Sequence, residues 1–234
     1  MKFLSSLSTA SKSTPDLVAQ RLHEAIATGE LRPGDRLPPE SELAQRFGIA
    51  LMTVRVALSA LRDMGLLITM RGRNGGNFVA EDVGERLAEA ARRTPFNRAE
   101  LRDLTDWRRA ISGEACFLAA ERASPEQMTQ IREAGANFDK LLHQFPDLRF
   151  ADARFHTLIA EASGSAHLVR AETEIQIALT DVILSIAKPF GTRHLTSYTH
   201  DPILRALAAS NGAGAREAMI RHAEDTFSWV TILL

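Results

Sequence analysis

The chain has 234 residues, of which 45% are hydrophobic and 24% are charged, a composition typical of a folded globular protein. Its single cysteine, Cys116, excludes an intrachain disulfide and a cysteine-rich metal site. No apolar run approaches the ~20 residues that a membrane-spanning helix needs, and the lack of an intrachain disulfide leads us to expect a cytoplasmic protein. The length suits one large domain or two smaller ones.

The net charge of −1 hides an uneven distribution along the chain. Residues 1–80 contain 10 Lys and Arg against 7 Asp and Glu, a net charge of +3. Residues 81–234 contain 18 against 22, a net charge of −4. A basic first part favours contact with a polyanion such as DNA, and the acidic remainder does not.

The first part of the chain mixes helical, extended and turn signals. We expect a flexible tail over residues 1–14, followed by a helix that ends at Gly29. The prolines of residues 31–39 indicate an extended arm, because each disfavours helix in the residue before it. A short helix ending at Gly48 and a second over 51–64 follow, joined by the turn of residues 48–50.

Residues 66–80 complete this part as two apolar strands around a glycine-rich tip, which predicts a β-hairpin. Helix, arm, two short helices and hairpin, in this order, predict a winged helix-turn-helix domain over residues 15–80. Its second short helix fits the major groove, and its hairpin fits the backbone or minor groove. The expected DNA-binding residues are Met52, Thr53, Arg55, Arg71, Arg73 and Gly75. The alternative is that these arginines form only a solvated face.

From residue 84 strand signals disappear, and Ala, Leu, Arg and Glu recur at helical spacing. We therefore predict an all-α antiparallel bundle of about six helices over residues 84–234. The whole chain is predicted to be mostly α.

Within this part, Asp152 and His156 stand four residues apart, so one helix face presents both side chains to a single cation. The turn at Asn211 lies about 11 residues from both His200 and His222. Two antiparallel helices joined by this turn would therefore place the two histidines side by side, each ~16 Å from the turn. Three imidazoles and a carboxylate suit Zn²⁺, Ni²⁺ or Mn²⁺. The alternative is that the four are unrelated polar residues.

The N-terminal residues resemble the GntR family of transcriptional regulators. The matching segments are Leu31-Arg32-Pro33-Gly34-Asp35-Arg36-Leu37-Pro38, Glu42-Leu43-Ala44, Val54-Arg55-x-Ala57-Leu58-x-x-Leu61, Gly65-Leu66 and Arg71-Gly72-Arg73-x-Gly75-Gly76-x-Phe78-Val79. The resemblance implies operator binding. Ser41 replaces an arginine usual in the family, and Ala50-Leu51 replaces a Ser/Thr-Arg pair, so the usual family operator is not implied.

Residues 100–225 resemble the FCD sensor domain of the FadR-like subfamily. Asp152-x-x-Phe155-His156, His200 and Arg221-His222 match its metal-ligand pattern, and Arg108 matches the arginine that faces an effector carboxylate. The resemblance therefore implies a divalent metal and a small organic acid effector. Ser112 stands where many members have Glu, and Ser165 where many have Asn. A surface salt bridge of Arg108, or a role for Arg109 instead, remains the alternative.

The leading hypothesis is a transcriptional regulator, expected to be a repressor, that reads a palindromic DNA operator as a homodimer. The chief rival is a metalloenzyme, because an open metal site can activate water. No spare general base at a fixed spacing supports that rival, so we expect no enzyme activity. A third hypothesis is a DNA-binding module whose helical part only dimerises around a vestigial metal site.

Overall fold

The computed structural model describes residues 13–73, 75–93, 96–186 and 199–233. Its backbone is mostly helical, with one two-stranded antiparallel hairpin, as the sequence predicts. Contacts divide the chain into two units, residues 1–87 and 88–234. Residues 1–12 of the expected tail lie outside the described residues.

The first unit is built from three helices and the hairpin. Its elements are α1 (Thr14–Ala27), α2 (Glu40–Phe47), α3 (Leu51–Asp63), β1 (Leu67–Met70) and β2 (Gly76–Val79). Helix α1 starts at Thr14, the last residue of the predicted tail, because Pro15 suits a first helical turn. Helix α2 ends at Gly48, whose φ of 67° is left-handed and favours glycine.

The arm between α1 and α2 extends the hairpin. The amide of Leu37 donates to the carbonyl of Asn77, and the amide of Val79 donates to the carbonyl of Asp35. Helices α1 and α3 pack together, and Leu22 of α1 and Leu58 of α3 are both fully buried. The result holds α3 and the hairpin on one small core.

Helix α4 (Val83–Ala91) spans the division between the units. Residues 84–87, which the sequence analysis places in the helical part, group with the first unit. The reason is that Val83 and Leu87 are buried and Arg86 lies against Gly65.

The second unit is an all-helical bundle. Its helices are α5 (Arg98–Arg122), α6 (Pro125–Lys140), α7 (Asp147–Ala162), α8 (Ala166–Ser185), α9 (Asp201–Ala208) and α10 (Gly212–Leu233). Capping boxes at Asn97 and Ser124 begin α5 and α6. The long helix α5 packs on α7, α8, α9 and α10, so its inward face lies at the middle of the bundle.

Within the described residues, no single helix is both long and apolar enough to cross a membrane. Helices α2 and α3 pass such a test only as a pair, on length and composition alone, and they are bent by 114° at the turn between them.

Candidate metal centre and DNA-reading surface

Three helices bring Asp152, His156, His200 and His222 together. Asp152 and His156 lie one turn apart on α7, His200 immediately precedes α9, and His222 lies on α10. Each side chain offers one ligand atom, and these atoms all lie within 4.8 Å of one another. The Oδ1 of Asp152 is 3.0 Å from Nε2 of His200 and 3.6 Å from Nε2 of His156.

Helix α9 starts at Asp201, and His200 is its capping residue. The short turn between α9 and α10 then sets His200 beside His222, with ring centroids 5.0 Å apart. Phe155, from the same motif as His156, stacks on the His200 ring at 3.9 Å. Aromatic packing therefore fixes the orientation of this imidazole.

Burial controls the charge of the cluster. Burial lowers the pKa of His156 to about 3, against the opposing attraction of Asp152. Burial, aided by the charge of Arg108, holds the pKa of His222 well below 6.5. Burial raises the pKa of Asp152, but His156, His200 and Arg149 outweigh it and hold that pKa well below 3.8. At neutral pH the cluster thus offers two neutral imidazoles and a carboxylate.

Imidazole nitrogens that lack hydrogen-bond partners indicate whether the cluster suits a metal ion. The Nδ1 of His200 is buried without a hydrogen-bond partner among the described residues, and its Nε2 lies 3.0 Å from Oδ1 of Asp152 without hydrogen-bond geometry. An unpaired buried acceptor costs stability, and a divalent ion satisfies a neutral imidazole lone pair. Three imidazoles and one carboxylate are a donor set taken by Zn²⁺, Ni²⁺ and Mn²⁺. The residues present therefore fit a divalent metal ion.

Arg108 of α5 adjoins this cluster. It is only 2% exposed, its Nη1 donates to Oγ1 of Thr226 at 2.9 Å, and its Nη2 lies 3.0 Å from Nε2 of His156. Its Nε has no partner within the described part of the chain. The neighbouring Arg109 instead lies at the surface, paired with Asp106 and Glu224. Of the two arginines, Arg108 is therefore the one that faces the interior.

Arg149 is a buried residue of this region that sequence reasoning missed. It donates to the Asp152 carboxylate, to Oγ1 of Thr180 at 3.1 Å and to the carbonyl of Gln176 at 3.0 Å. Burial lowers its pKa to about 10, so it stays charged at neutral pH. The sequence feature that could have identified Arg149 is its position three residues before Asp152, which places both side chains on the same helix face.

Glu172 of α8 is a second buried group that the sequence did not reveal. Its carboxyl accepts hydrogen bonds from Ser112 at 2.6 Å and from Gln176 at 2.7 Å. Burial raises its pKa, although both donors and the two nearby arginines oppose this. Ser112, which departs from the family pattern, thus has a buried carboxyl as its partner. The sequence feature that could have identified it is the spacing of Glu172 and Gln176, which stand four residues apart on a largely apolar helix.

In the first unit, helix α3 presents part of the predicted DNA-reading set. Met52 is 63% exposed, Arg55 is exposed and Thr53 is half-buried. The Nε of Arg55 donates to Oε2 of Glu40 at 2.9 Å, a partner that the sequence analysis did not single out. Helix α3 follows Ala50 with no side-chain cap, in keeping with the departure from the family pattern.

The hairpin tip presents the rest of that set. Arg71 and Arg73 are exposed. A Cβ atom at Gly75 would lie 2.5 Å from the carbonyl oxygen of Met70, so the tight turn requires glycine there. The carbonyl of Gly75 accepts a hydrogen bond from Nη2 of Arg36 at 2.6 Å, which ties the tip to the arm.

Comparison with known families decides the class of the protein. Residues 15–78 match the bacterial regulatory proteins of the gntR family. Residues 103–225, which are 123 of the 234 residues, match the FCD domain. This chain belongs to the GntR family of transcriptional regulators. GntR regulators bind DNA, so a DNA-binding function is established at the level of the family.

Known relatives agree with this assignment. The regulator is 32% identical over 214 residues to a Mycobacterium gastri protein named HTH-type transcriptional regulator RmpR, covering 88% of this chain and 76% of the relative. It is 30% identical over 225 residues to an Escherichia coli protein named for regulation of an L-lactate dehydrogenase operon, covering 88% and 82%. These relatives are regulators, not enzymes, which decides against the metalloenzyme hypothesis.

A solved structure supports the fold. Escherichia coli McbR/YncC aligns with a TM-score of 0.57 at 17% sequence identity, covering 94% of this chain and 98% of that one. The fold of this chain, a winged helix-turn-helix domain followed by a helical domain, is therefore one that a solved structure also has.

Proposed function

We propose that this GntR regulator is a repressor whose FCD domain binds a divalent metal ion and a small carboxylate effector. The observation that supports the proposal best is the buried cluster of Asp152, His156 and His200 with His222, beside the inward-facing Arg108. Metal binding is assigned to these four side chains, with Zn²⁺ or Ni²⁺ favoured by imidazole and Mn²⁺ as a further candidate. A bound ion would supply a positive centre for effector oxygens.

The effector is proposed to be a small hydroxy, keto or sugar acid. Arginine binds carboxylates through two parallel N–H groups, and the interior position of Arg108 excludes water from that contact. Arg108 and Arg149, both buried cations, make this region of the bundle favourable for an anion. The relative named for an L-lactate dehydrogenase operon makes L-lactate the first acid to test.

DNA recognition is assigned to helix α3 and the hairpin tip, with the contacts made by Met52, Thr53, Arg55, Arg71, Arg73 and Gly75. Exposed cations at both places suit the phosphate backbone, and Arg55 suits a base edge. A homodimer would place two such surfaces on the two halves of an inverted repeat, and effector binding would change the operator affinity.

The proposal is tested with DNA selected from a random duplex library by the full-length protein. The selected fragments should share a short inverted repeat, and Arg55→Ala should weaken binding to it by about 1–3 kcal/mol. L-Lactate and a panel of small hydroxy and keto acids are then titrated against the complex. Binding without preference for any selected sequence over random duplex refutes DNA reading. No response to any acid in metal-loaded protein refutes the carboxylate effector.

A further inference from the structure

We propose that Glu40 is a positioning residue for DNA reading, which holds Arg55 so that the outer edge of its guanidinium faces a guanine. The inference rests on the DNA-reading role of α3 proposed above. It concerns the contact between Glu40 of α2 and Arg55 of α3. Glu40 belongs neither to the segments that match the family nor to the expected DNA-binding residues.

The bond between Glu40 and Arg55 crosses the helix-turn-helix. Glu40 is the first residue of α2, Arg55 lies in the second turn of α3, and the Nε of Arg55 donates to Oε2 of Glu40 at 2.9 Å. The two side chains are 30% and 54% exposed. Exposed ion pairs contribute little to folding stability, so this pair is not explained by stability alone.

Arg55 needs a fixed orientation because no neighbouring residue of α3 is charged. Between residues 51 and 61 it is the only charged side chain, and the exposed residues beside it, Met52 and Val56, are apolar. A free arginine samples many rotamers and loses that freedom when it binds. The bond to Glu40 restricts those rotamers before DNA arrives.

The geometry of the pair selects the part of the guanidinium that remains for DNA. The bond to Glu40 uses Nε, and Arg55 forms no other hydrogen bond within the described residues. The Nη1 and Nη2 groups therefore remain to donate in parallel, which matches the O6 and N7 acceptors of guanine. The carboxylate of Glu40 also repels phosphates, so it disfavours binding of Arg55 to the DNA backbone at random sites.

Glu42 provides a matched control for Glu40. Both glutamates lie in the first turn of α2, where an acidic side chain interacts favourably with the helix dipole. Glu42 pairs with Arg46 of the same helix at 2.5 Å and has no bond to α3 in the described structure. Replacing either residue by alanine removes one negative charge from the same turn, but only one replacement frees Arg55.

The experiment measures binding of full-length wild type, Glu40→Ala, Glu40→Gln and Glu42→Ala to a duplex that the wild type has selected. Each base pair of the duplex is changed in turn, and the affinity ratio between the original and changed duplex is recorded. In wild type, changing the guanine read by Arg55 should weaken binding about 5- to 150-fold. In Glu40→Ala this ratio should fall below about fivefold. The same variant should bind random duplex as tightly as wild type does, or more tightly.

The other variants separate positioning from folding. Glu42→Ala should keep every wild-type ratio, and Glu40→Gln, which retains an oxygen acceptor without the charge, should give an intermediate ratio at the guanine. The inference is overturned if Glu40→Ala keeps the wild-type ratio at every position, or weakens binding to all duplexes alike with a lowered melting temperature. Should wild type itself show no sequence preference, the proposed DNA reading fails and this inference fails with it.

Discussion

The Nη2 atom of Arg108 lies 3.0 Å from Nε2 of His156, so a guanidinium N–H and a divalent ion would compete for one imidazole lone pair. His156 Nε2 is also the ring nitrogen that lies 3.6 Å from the Asp152 carboxylate, on the side of the proposed metal site. An ion bound there would remove the acceptor of Arg108 and repel its charge. The released guanidinium would then need an anion, and an effector carboxylate supplies one.

The first prediction follows from this competition. Arg108→Met should raise the affinity of the effector-free protein for Zn²⁺ by roughly tenfold, because it removes a charged donor whose hydrogen bond is worth about 1.5–3 kcal/mol. The same variant should lose its response to effector while keeping near wild-type operator affinity. Metal affinity is measured by competition with a chromophoric chelator.

Arg109→Met is the control for this prediction, because Arg109 is adjacent in sequence but pairs at the surface with Asp106 and Glu224. It should leave metal affinity unchanged. An Arg108→Met variant that binds Zn²⁺ no more tightly than wild type would show that the two do not compete. A normal effector response in that variant would make Arg108 a structural residue.

The second prediction concerns Arg149, which donates to Asp152 from the same helix. Groups that orient a metal ligand typically change metal affinity 10–100-fold when they are removed. We expect Arg149→Met to lower the Zn²⁺ affinity by about that factor. Arg154→Met, on the same helix but paired with Glu161, is the control and should not change it. Equal affinities for wild type and Arg149→Met would exclude an orienting role.

The third prediction is the pH dependence of the metal-free fold. Burial holds the pKa of His222 well below the 6.5 expected in the unfolded chain, so below pH 6.5 the unfolded state binds a proton that the folded state does not. The free energy of unfolding should therefore fall as the pH is lowered from 7 to 5. Asp152, whose pKa lies below 3.8, acts outside this range.

The measurement is the melting temperature with chelator present, compared between wild type and His222→Asn at each pH. Burial raises the pKa of Glu172, so above pH 4.5 this residue makes the free energy of unfolding fall as the pH rises, which is the opposite trend. Because Glu172 is present in both proteins, its contribution cancels in the difference between them. Wild type should lose more stability than His222→Asn between pH 7 and 5. His167→Asn, on the exposed side of α8, should behave as wild type does. Parallel curves for wild type and His222→Asn would contradict the prediction.

The fourth prediction is that metal removal acts on stability and response together. An ion that binds only the folded state stabilises it by mass action, by about 2.7 kcal/mol at a free concentration of 100 times Kd. Chelator should therefore lower the melting temperature, and it should also weaken the effector response because the anion loses its positive centre. If chelator lowered the melting temperature but left the effector response unchanged, the metal would stabilise the fold without taking part in effector binding.

Much of the fold follows from local signals in the sequence. Gly48 ends α2 because a left-handed residue is needed there, and the glycine-rich tip closes the hairpin because Gly75 leaves no room for a Cβ atom. The convergence of His200 and His222 could be predicted because both lie at similar distances from one turn. These features depend on spacing along one or two elements.

The partners of the site residues could not be predicted in the same way, because they come from different helices. Glu40 meets Arg55 across 15 residues, Ser112 meets Glu172 across 60 and Arg108 meets His156 across 48. Helical periodicity places each side chain on a face, but it does not say which face packs opposite. The grouping of residues 84–87 with the first unit could not be predicted for the same reason, since Arg86 lies against Gly65 from a helix whose sequence looks like the rest of the bundle.

Elemental analysis of wild type and His200→Ala, purified without chelator or a nickel column, shows whether the helical bundle holds a metal ion at this cluster. Wild type should contain close to one equivalent of a divalent metal per chain, and His200→Ala should lose most of it, because His200 contributes one of the four ligand atoms that lie within 4.8 Å of one another. His143→Ala, outside the cluster, should retain the metal. A wild-type content near zero that added metal does not restore would refute metal binding, and full metal content in His200→Ala would refute the assignment of the metal to this cluster.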